Sequence, residues 1–203
     1  MKKFSIVITC YNREKFISKA IRSSLNQINI DRNSLEVVVV DDASTDGSVK
    51  LIKEFLPFVK LIKNKKNIGI SQSRNKGIIS AKSEYILMLD SDDYISSNFL
   101  EIMSYFLDSN NYWDAAACDY VKVKDNSDII KRVSFKKYPI ACGILFRRKT
   151  FLTVGLYNKN LKINEEKDLR RRFLKKKLIM GYVELPLYRY VIHSDNIKKK
   201  IKW

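Results

Sequence analysis

The chain has 203 residues, with 39 Lys and Arg against 22 Asp and Glu, a formal charge of +17, 45% hydrophobic and 11% aromatic residues, and only 6 Gly and 3 Pro. At about 100 to 200 residues per domain this suits one globular unit with a sizeable core, and it excludes a disordered polyelectrolyte and a collagen-like repeat. Three cysteines (Cys10, Cys118 and Cys142) without CxxC spacing argue against a disulfide framework or zinc site and favour a reducing compartment.

The opening MKKFSIVITCYN is too short an apolar run for a signal peptide, breaking at Thr9 and Asn12. No stretch approaches the roughly 18 to 20 apolar residues that span a bilayer. The expectation is a cytoplasmic protein, or one peripheral on the cytoplasmic face of a membrane.

In chain order, residues 4–9 read as a strand, and Asn12 as the cap of a helix with apolar Phe16, Ile17, Ala20, Ile21, Leu25 and Ile28. Residues 35–40, LEVVVV, read as a strand covered on both faces, as in a parallel sheet. It runs into Asp41-Asp42-Ala43-Ser44-Thr45-Asp46-Gly47, where Ser44 or Thr45 can cap a helix through 56 with Ile52, Phe55 and Leu56 inward. A strand over 58–62, a helix over 70–81 entered through Asn67-Ile68-Gly69, and a strand over 85–89 follow. Ser97 then precedes a helix carrying Phe99, Leu100, Met103, Phe106 and Leu107. The alternation predicts an α/β domain with a mainly parallel central sheet flanked by helices. Further on, strands are expected over 115–124, 144–148 and 187–193, a helix over 165–178, and a mobile loop over 125–137.

Ligands of such sheets gather at the carboxyl ends of the strands. Both acidic clusters, at 41–46 and at Asp90, Asp92 and Asp93, fall there. Carboxylates crowded at a rigid strand end repel unless a cation neutralises them, and oxygen ligands suit Mg²⁺ or Mn²⁺ shared with substrate phosphates. A helix cap with a solvated turn is the alternative reading of each cluster.

Taken in order and spacing, ITCYN, VVVVDDASTDGS, NIGISQSRNKGI, YILMLDSDD, GILFRRKTFLTVGLYN, NEEKDLRRRF and LYRYVIH resemble the motifs of family 2 glycosyltransferases with the GT-A fold. The resemblance implies one Rossmann-like domain over 1–203, with a nucleotide-sugar donor half at 1–110 and an acceptor half with a basic tail at 111–203. It implies that Thr9, Tyr11 and Asn12 line the nucleotide pocket and that Asp42 contacts the base with Asp41 beside it. Gly69 would let backbone approach the donor, and Arg74 would lie near the diphosphate or brace the acidic loop. Asp90-Ser91-Asp92 is the DxD-like motif, with Asp92 as direct ligand of Mn²⁺ or Mg²⁺ and Asp90 acting through water or ribose. His193, the only histidine, would reach the metal or the diphosphate, a surface role being the alternative.

Where the family carries a Glu-Asp pair, this chain has Glu165-Glu166, so the resemblance gives Glu166 the place of catalytic base, with Glu165 or Asp168 able to share it. The extra methylene moves the carboxylate by about 1.5 Å, and a misplacement of about 1 Å costs roughly a hundredfold in rate. The implied activity is metal-dependent, inverting transfer from a nucleotide diphosphate sugar, most commonly a UDP-sugar, to a hydroxyl of a glycan or lipid-linked glycan. The rivals are a metal-dependent nucleotidyltransferase, a donor-binding member without transfer activity, and a nucleic-acid-binding protein. The last is suggested by the charge but leaves the acidic strand ends unexplained, so no nucleic acid is expected as partner. Residues 1–100 carry a net +5 and 101–203 a net +12. The basic second half and the tail KKKIKW, with Trp203 as an interfacial anchor, suit an anionic membrane surface.

Overall fold

A computed structural model describes residues 2–161 and 163–194. The basic tail therefore lies outside the described residues. Strand β1 (Phe4–Cys10) is buried at every position, and β2 (Leu35–Asp41) at all but Glu36. Such continuous burial requires cover on both faces. It comes from helices α1 (Ile17–Leu25) and α3 (Ile70–Ser80), with α2 (Ser48–Lys53) packed against α1. Helix α3 approaches β1 closely because residue 77 is glycine: a Cβ there would lie 2.1 Å from Val7 Cγ1.

Strands β3 (Lys60–Lys63), β2, β1 and β4 (Tyr85–Asp90) run parallel in that spatial order, as the alternation predicts. After the short β5 (Tyr94–Ile95) and helix α4 (Phe99–Ser109), the chain adds β6 (Ala115–Lys124), β7 (Ile129–Val133) and β8 (Ile144–Arg147). Helices α5 (Lys149–Val154) and α6 (Glu165–Lys175) lead into the last strand, β9 (Met180–Ile192). The sheet continues from β4 through antiparallel β8 to β6, then to β9 parallel with β6, and ends in β5.

Several boundaries differ from expectation. Asn12 does not cap α1; its φ is +51°, the helix starts at Ile17 without a side-chain cap, and Ile28 is exposed. Helix α2 ends at Lys53, leaving Leu56 exposed. The segment 125–137 is not a loop throughout, since β7 pairs antiparallel with β6. Its first four residues are exposed, so it has no buried alternation to read. Strand β9 begins at Met180 rather than 187: Pro186 sits opposite Asp119, where the register with β6 shifts, and that irregularity accommodates a residue that normally interrupts strands.

Candidate active site

The register places the motif residues side by side. Thr9 lies between Val40 and Asp90, and Cys10 is opposite Asp41, so the ends of β1, β2 and β4 form one ledge. Tyr11, half exposed, follows directly. Asn12 ties two loops of this ledge together: its N–H donates to Ser44 Oγ at 3.0 Å, and its Oδ1 accepts the Thr45 N–H at 2.8 Å. Arg13 N–H donates to Ser48 Oγ at 2.8 Å. Burial pushes the Cys10 thiol up to about 11, so Cys10 stays a neutral packing group.

Asp42 is buried, and its carboxylate accepts Asn64 Nδ2 at 2.8 Å, Ile68 N–H at 2.9 Å and Gly69 N–H at 2.9 Å. Three of its roughly four lone-pair sites are thus taken by the 64–69 segment, which makes Asp42 the anchor of that segment. Gly69 has φ +87° and ψ 161°, a conformation essentially reserved for glycine. Nothing lies within 4 Å of where its Cβ would stand, so the chain leaves open space there. Asp41 is fully buried; its Oδ2 accepts the Ser44 N–H at 3.3 Å, and its Oδ1 has no hydrogen-bond partner among the described residues.

Arg74, whose side chain is 2% exposed, donates to Asp90 Oδ1 at 2.7 Å and to Glu165 Oε1, with its guanidinium 5.3 Å from the Tyr157 ring centre. It therefore braces the acidic loop and fastens the first turn of α6 to the end of β4. Burial raises the Glu165 carboxyl above its ordinary value, and the Arg74 charge opposes this. Glu166, next in the same turn, borders a small cavity with Tyr157, Leu169, Arg170 and Phe173. Asp168 is taken up differently: Arg171 donates to it at 2.9 Å and Arg172 at 2.8 Å. Arg172 also donates to the carbonyls of Val154 and Leu156, so Asp168 helps clamp α6 to α5 rather than joining Glu166.

Ser91 is buried, and the two aspartates after it diverge. Asp92 Oδ2 lies 3.0 Å from His193 Nε2 and 3.4 Å from Arg13 Nε. Burial works against its ionisation, yet the hydrogen bond with His193 and the Arg13 charge hold it below the usual carboxylate range. His193 is buried, with its ring centre 4.4 Å from that of Phe16. A cleft of about 410 Å³ opens beside Asp92, lined by Lys15, Phe16, Lys19, Asp125, Asn126 and Val191.

Asp93 turns inward, accepting Tyr188 OH at 2.6 Å and Val191 N–H at 2.8 Å, and so positions β9 under the site. Burial, with the Asp92 and Asp90 charges, raises its carboxyl well above the usual range. A carboxyl with a raised folded-state value contributes most below its unfolded value and loses that contribution as pH rises through the folded one. Asp93→Asn is therefore expected to gain stability relative to the parent between pH 4 and pH 7, read from urea midpoints. A constant difference between the two pH values would contradict this.

Among the described residues no group of three or more His, Cys, Asp and Glu side chains is arranged to hold a metal ion. Asp92 and His193 do offer one oxygen and one nitrogen 3.0 Å apart. A carboxylate oxygen and a neutral imidazole nitrogen are donors that a divalent ion such as Mn²⁺ accepts, and such an ion commonly fills its other positions with waters and substrate phosphates. The pair thus fits a divalent cation bound jointly with a diphosphate. No local pattern marks Arg13 and Asn64, which act through contacts with distant segments, and the helical pattern marks Phe16 only as apolar, not as the ring beside His193.

The sequence profile of Glycosyl transferase family 2 matches residues 5–178. The chain belongs to that family. Among relatives of this family 2 chain, poly(ribitol-phosphate) beta-N-acetylglucosaminyltransferase TarS of Staphylococcus aureus is 33% identical over 121 residues, covering 55% of this chain and 20% of that protein. Cholesterol galactosyltransferase of Borreliella burgdorferi is 28% identical over 183 residues, covering 86% of this chain and 49% of that protein. The chain thus spans a fifth to a half of the length of these relatives. The crystal structure of S. aureus TarS 1-349 in complex with UDP-GlcNAc superposes with a TM-score of 0.83 at 21% identity, covering 99% of this chain and 62% of that one. Mannosyltransferase PcManGT from Pyrobaculum calidifontis, in complex with GDP-Man and Mn²⁺, gives 0.76 at 16% identity, covering 98% and 59%. These likenesses establish the GT-A fold expected from the motifs.

Proposed function

We propose that this domain binds a UDP-sugar over the carboxyl ends of β1, β2 and β4 and transfers the sugar, with inversion, to a hydroxyl of a glycan or lipid-linked glycan. The observation that carries this reading is the Arg74 bridge, because it joins the donor-side carboxylate Asp90 to Glu165 of α6 and so holds Glu166 in one rigid assembly with the ledge. The UDP-GlcNAc held by TarS supports UDP as the nucleotide.

On this reading Thr9, Tyr11, Asn12 and the Asp42-anchored 64–69 segment surround the nucleoside, and the open space at Gly69 admits the donor. Glu166 accepts the proton of the acceptor hydroxyl as its oxygen bonds to the anomeric carbon. The bond from that carbon to the diphosphate breaks on the opposite face, its electron pair leaves with UDP, and the configuration inverts. Asp92 and His193 would hold a divalent ion, which when bound would supply positive charge to stabilise the departing diphosphate. Near the leaving group Arg13 contributes a fixed cation beside Asp92.

Thermal melting with UDP-, GDP- and dTDP-sugars in Mn²⁺ tests donor choice. At a hundred times the dissociation constant a donor stabilises by about 2.7 kcal/mol, a rise of roughly 5 to 10 °C at about 2 to 4 °C per kcal/mol for a domain of this size. The UDP-sugar is expected to give the largest rise and UDP to be the released product. Release of pyrophosphate would instead mark a nucleotidyltransferase, and no rise with any donor would overturn the reading.

A further inference from the structure

The strongest feature that donor chemistry leaves unused is the outward side of α5 and α6. Residues 147–179 contain twelve basic and three acidic side chains. Glu165 of the three is buried against Arg74, and Asp168 is already paired with Arg171 and Arg172. Arg148, Lys149, Arg171, Lys175, Lys176 and Lys177 are all exposed. Among them stand two leucines that the core does not use, Leu152 at 80% exposure and Leu174 at 64%. The two helices are clamped by Arg172, which reaches from α6 to the carbonyls of Val154 and Leu156, so these exposed residues belong to neighbouring elements of the domain.

We propose that this surface docks on a lipid bilayer containing anionic headgroups. Charge complementarity selects the partner: cations lie among the headgroups while exposed leucines enter the acyl boundary, as on interfacial amphipathic helices. A soluble polyanion would use the cations and leave Leu152 and Leu174 in water. A protein partner fits less well, because interface centres are depleted of lysine. No helix among the described residues is long and apolar enough to cross a membrane, so contact here would be peripheral. The surface continues the same helix that carries Glu166 in its first turn, which would bring a membrane-presented acceptor to that end of the domain. Docking itself does not depend on the proposed transfer activity.

The full chain is to be sedimented with vesicles of phosphatidylcholine alone and with 30% phosphatidylglycerol, at about 0.1 M salt. Binding is expected only to the anionic vesicles. The triple variant Lys149→Gln/Lys175→Gln/Lys176→Gln is expected to lose about a hundredfold in partitioning, at about fivefold per cation. The double variant Leu152→Ser/Leu174→Ser should also weaken vesicle binding, yet leave binding to heparin, a soluble polyanion, unchanged. Melting curves and UDP-sugar binding of all variants should match the parent, which separates this result from a failure of the donor site. Absence of binding to anionic vesicles, equal binding to neutral ones, or full binding by either variant would overturn the assignment. In the last case the contact lies elsewhere or is generic charge attraction.

Discussion

Arg74→Met is expected to destabilise the domain by about 3 to 5 kcal/mol, the usual result of removing one partner from a buried ion pair. Its guanidinium is almost wholly buried and serves two carboxylates, of which Glu165 is itself 7% exposed and cannot turn to water. The Asp90 end, at 28% exposure, is partly screened and contributes less. The loss corresponds to a fall of roughly 6 to 20 °C in melting temperature for a domain of this size. Arg74→Lys is expected to fall between, because a point charge on a flexible stem cannot hold both partners as a planar fork does.

The pH dependence distinguishes this explanation from simple loss of packing. In the variant the Arg74 charge no longer opposes the effect of burial on Glu165, so its folded-state value rises further above the unfolded one. Stability from such a group is fully present below the unfolded value and lost as pH rises through the folded one. The gap between parent and variant should therefore be wider at pH 7 than at pH 4.5 in urea titrations. Equal gaps would mean that Arg74 matters for its volume alone.

The parallel half of the sheet is legible in the sequence because LEVVVV and YILMLD leave no polar side for water, and because each run stops abruptly at acidic residues. The strand-end ledge follows from that alone. The division of labour within each acidic pair is not legible, since it turns on which way each side chain points at the strand end. Asp42 meets Asn64, Ile68 and Gly69, while Asp41 points into the interior; Asp92 meets His193, while Asp93 turns to Tyr188. All these partners come from other segments. Asp168 is a different case: DLRRR places arginines three and four residues on, the helical spacing that captures a carboxylate. That spacing is legible in the sequence, and it ties the Asp168 carboxylate to its own helix.

Glu166→Gln is expected to lower kcat by about 10² to 10⁴, the range for removing a positioned general base, while leaving donor KM unchanged. Gln keeps the shape and removes only the capacity to take a proton. Glu165 cannot compensate, because its carboxylate is committed to Arg74 in the same helical turn. The bridge also fixes the backbone from which Glu166 projects, so on the proposed reading its extra methylene relative to the family's usual Asp would be taken up by the acceptor's position. Glu166→Asp should accordingly lose about a hundredfold in kcat/KM, the effect of about 1 Å of misplacement, rather than improve the enzyme. Steady-state UDP release with a matched acceptor measures both variants. Faster turnover by Glu166→Asp would show that the parent chain binds its donor with a misplaced base, and unchanged turnover by Glu166→Gln would place the base on another residue.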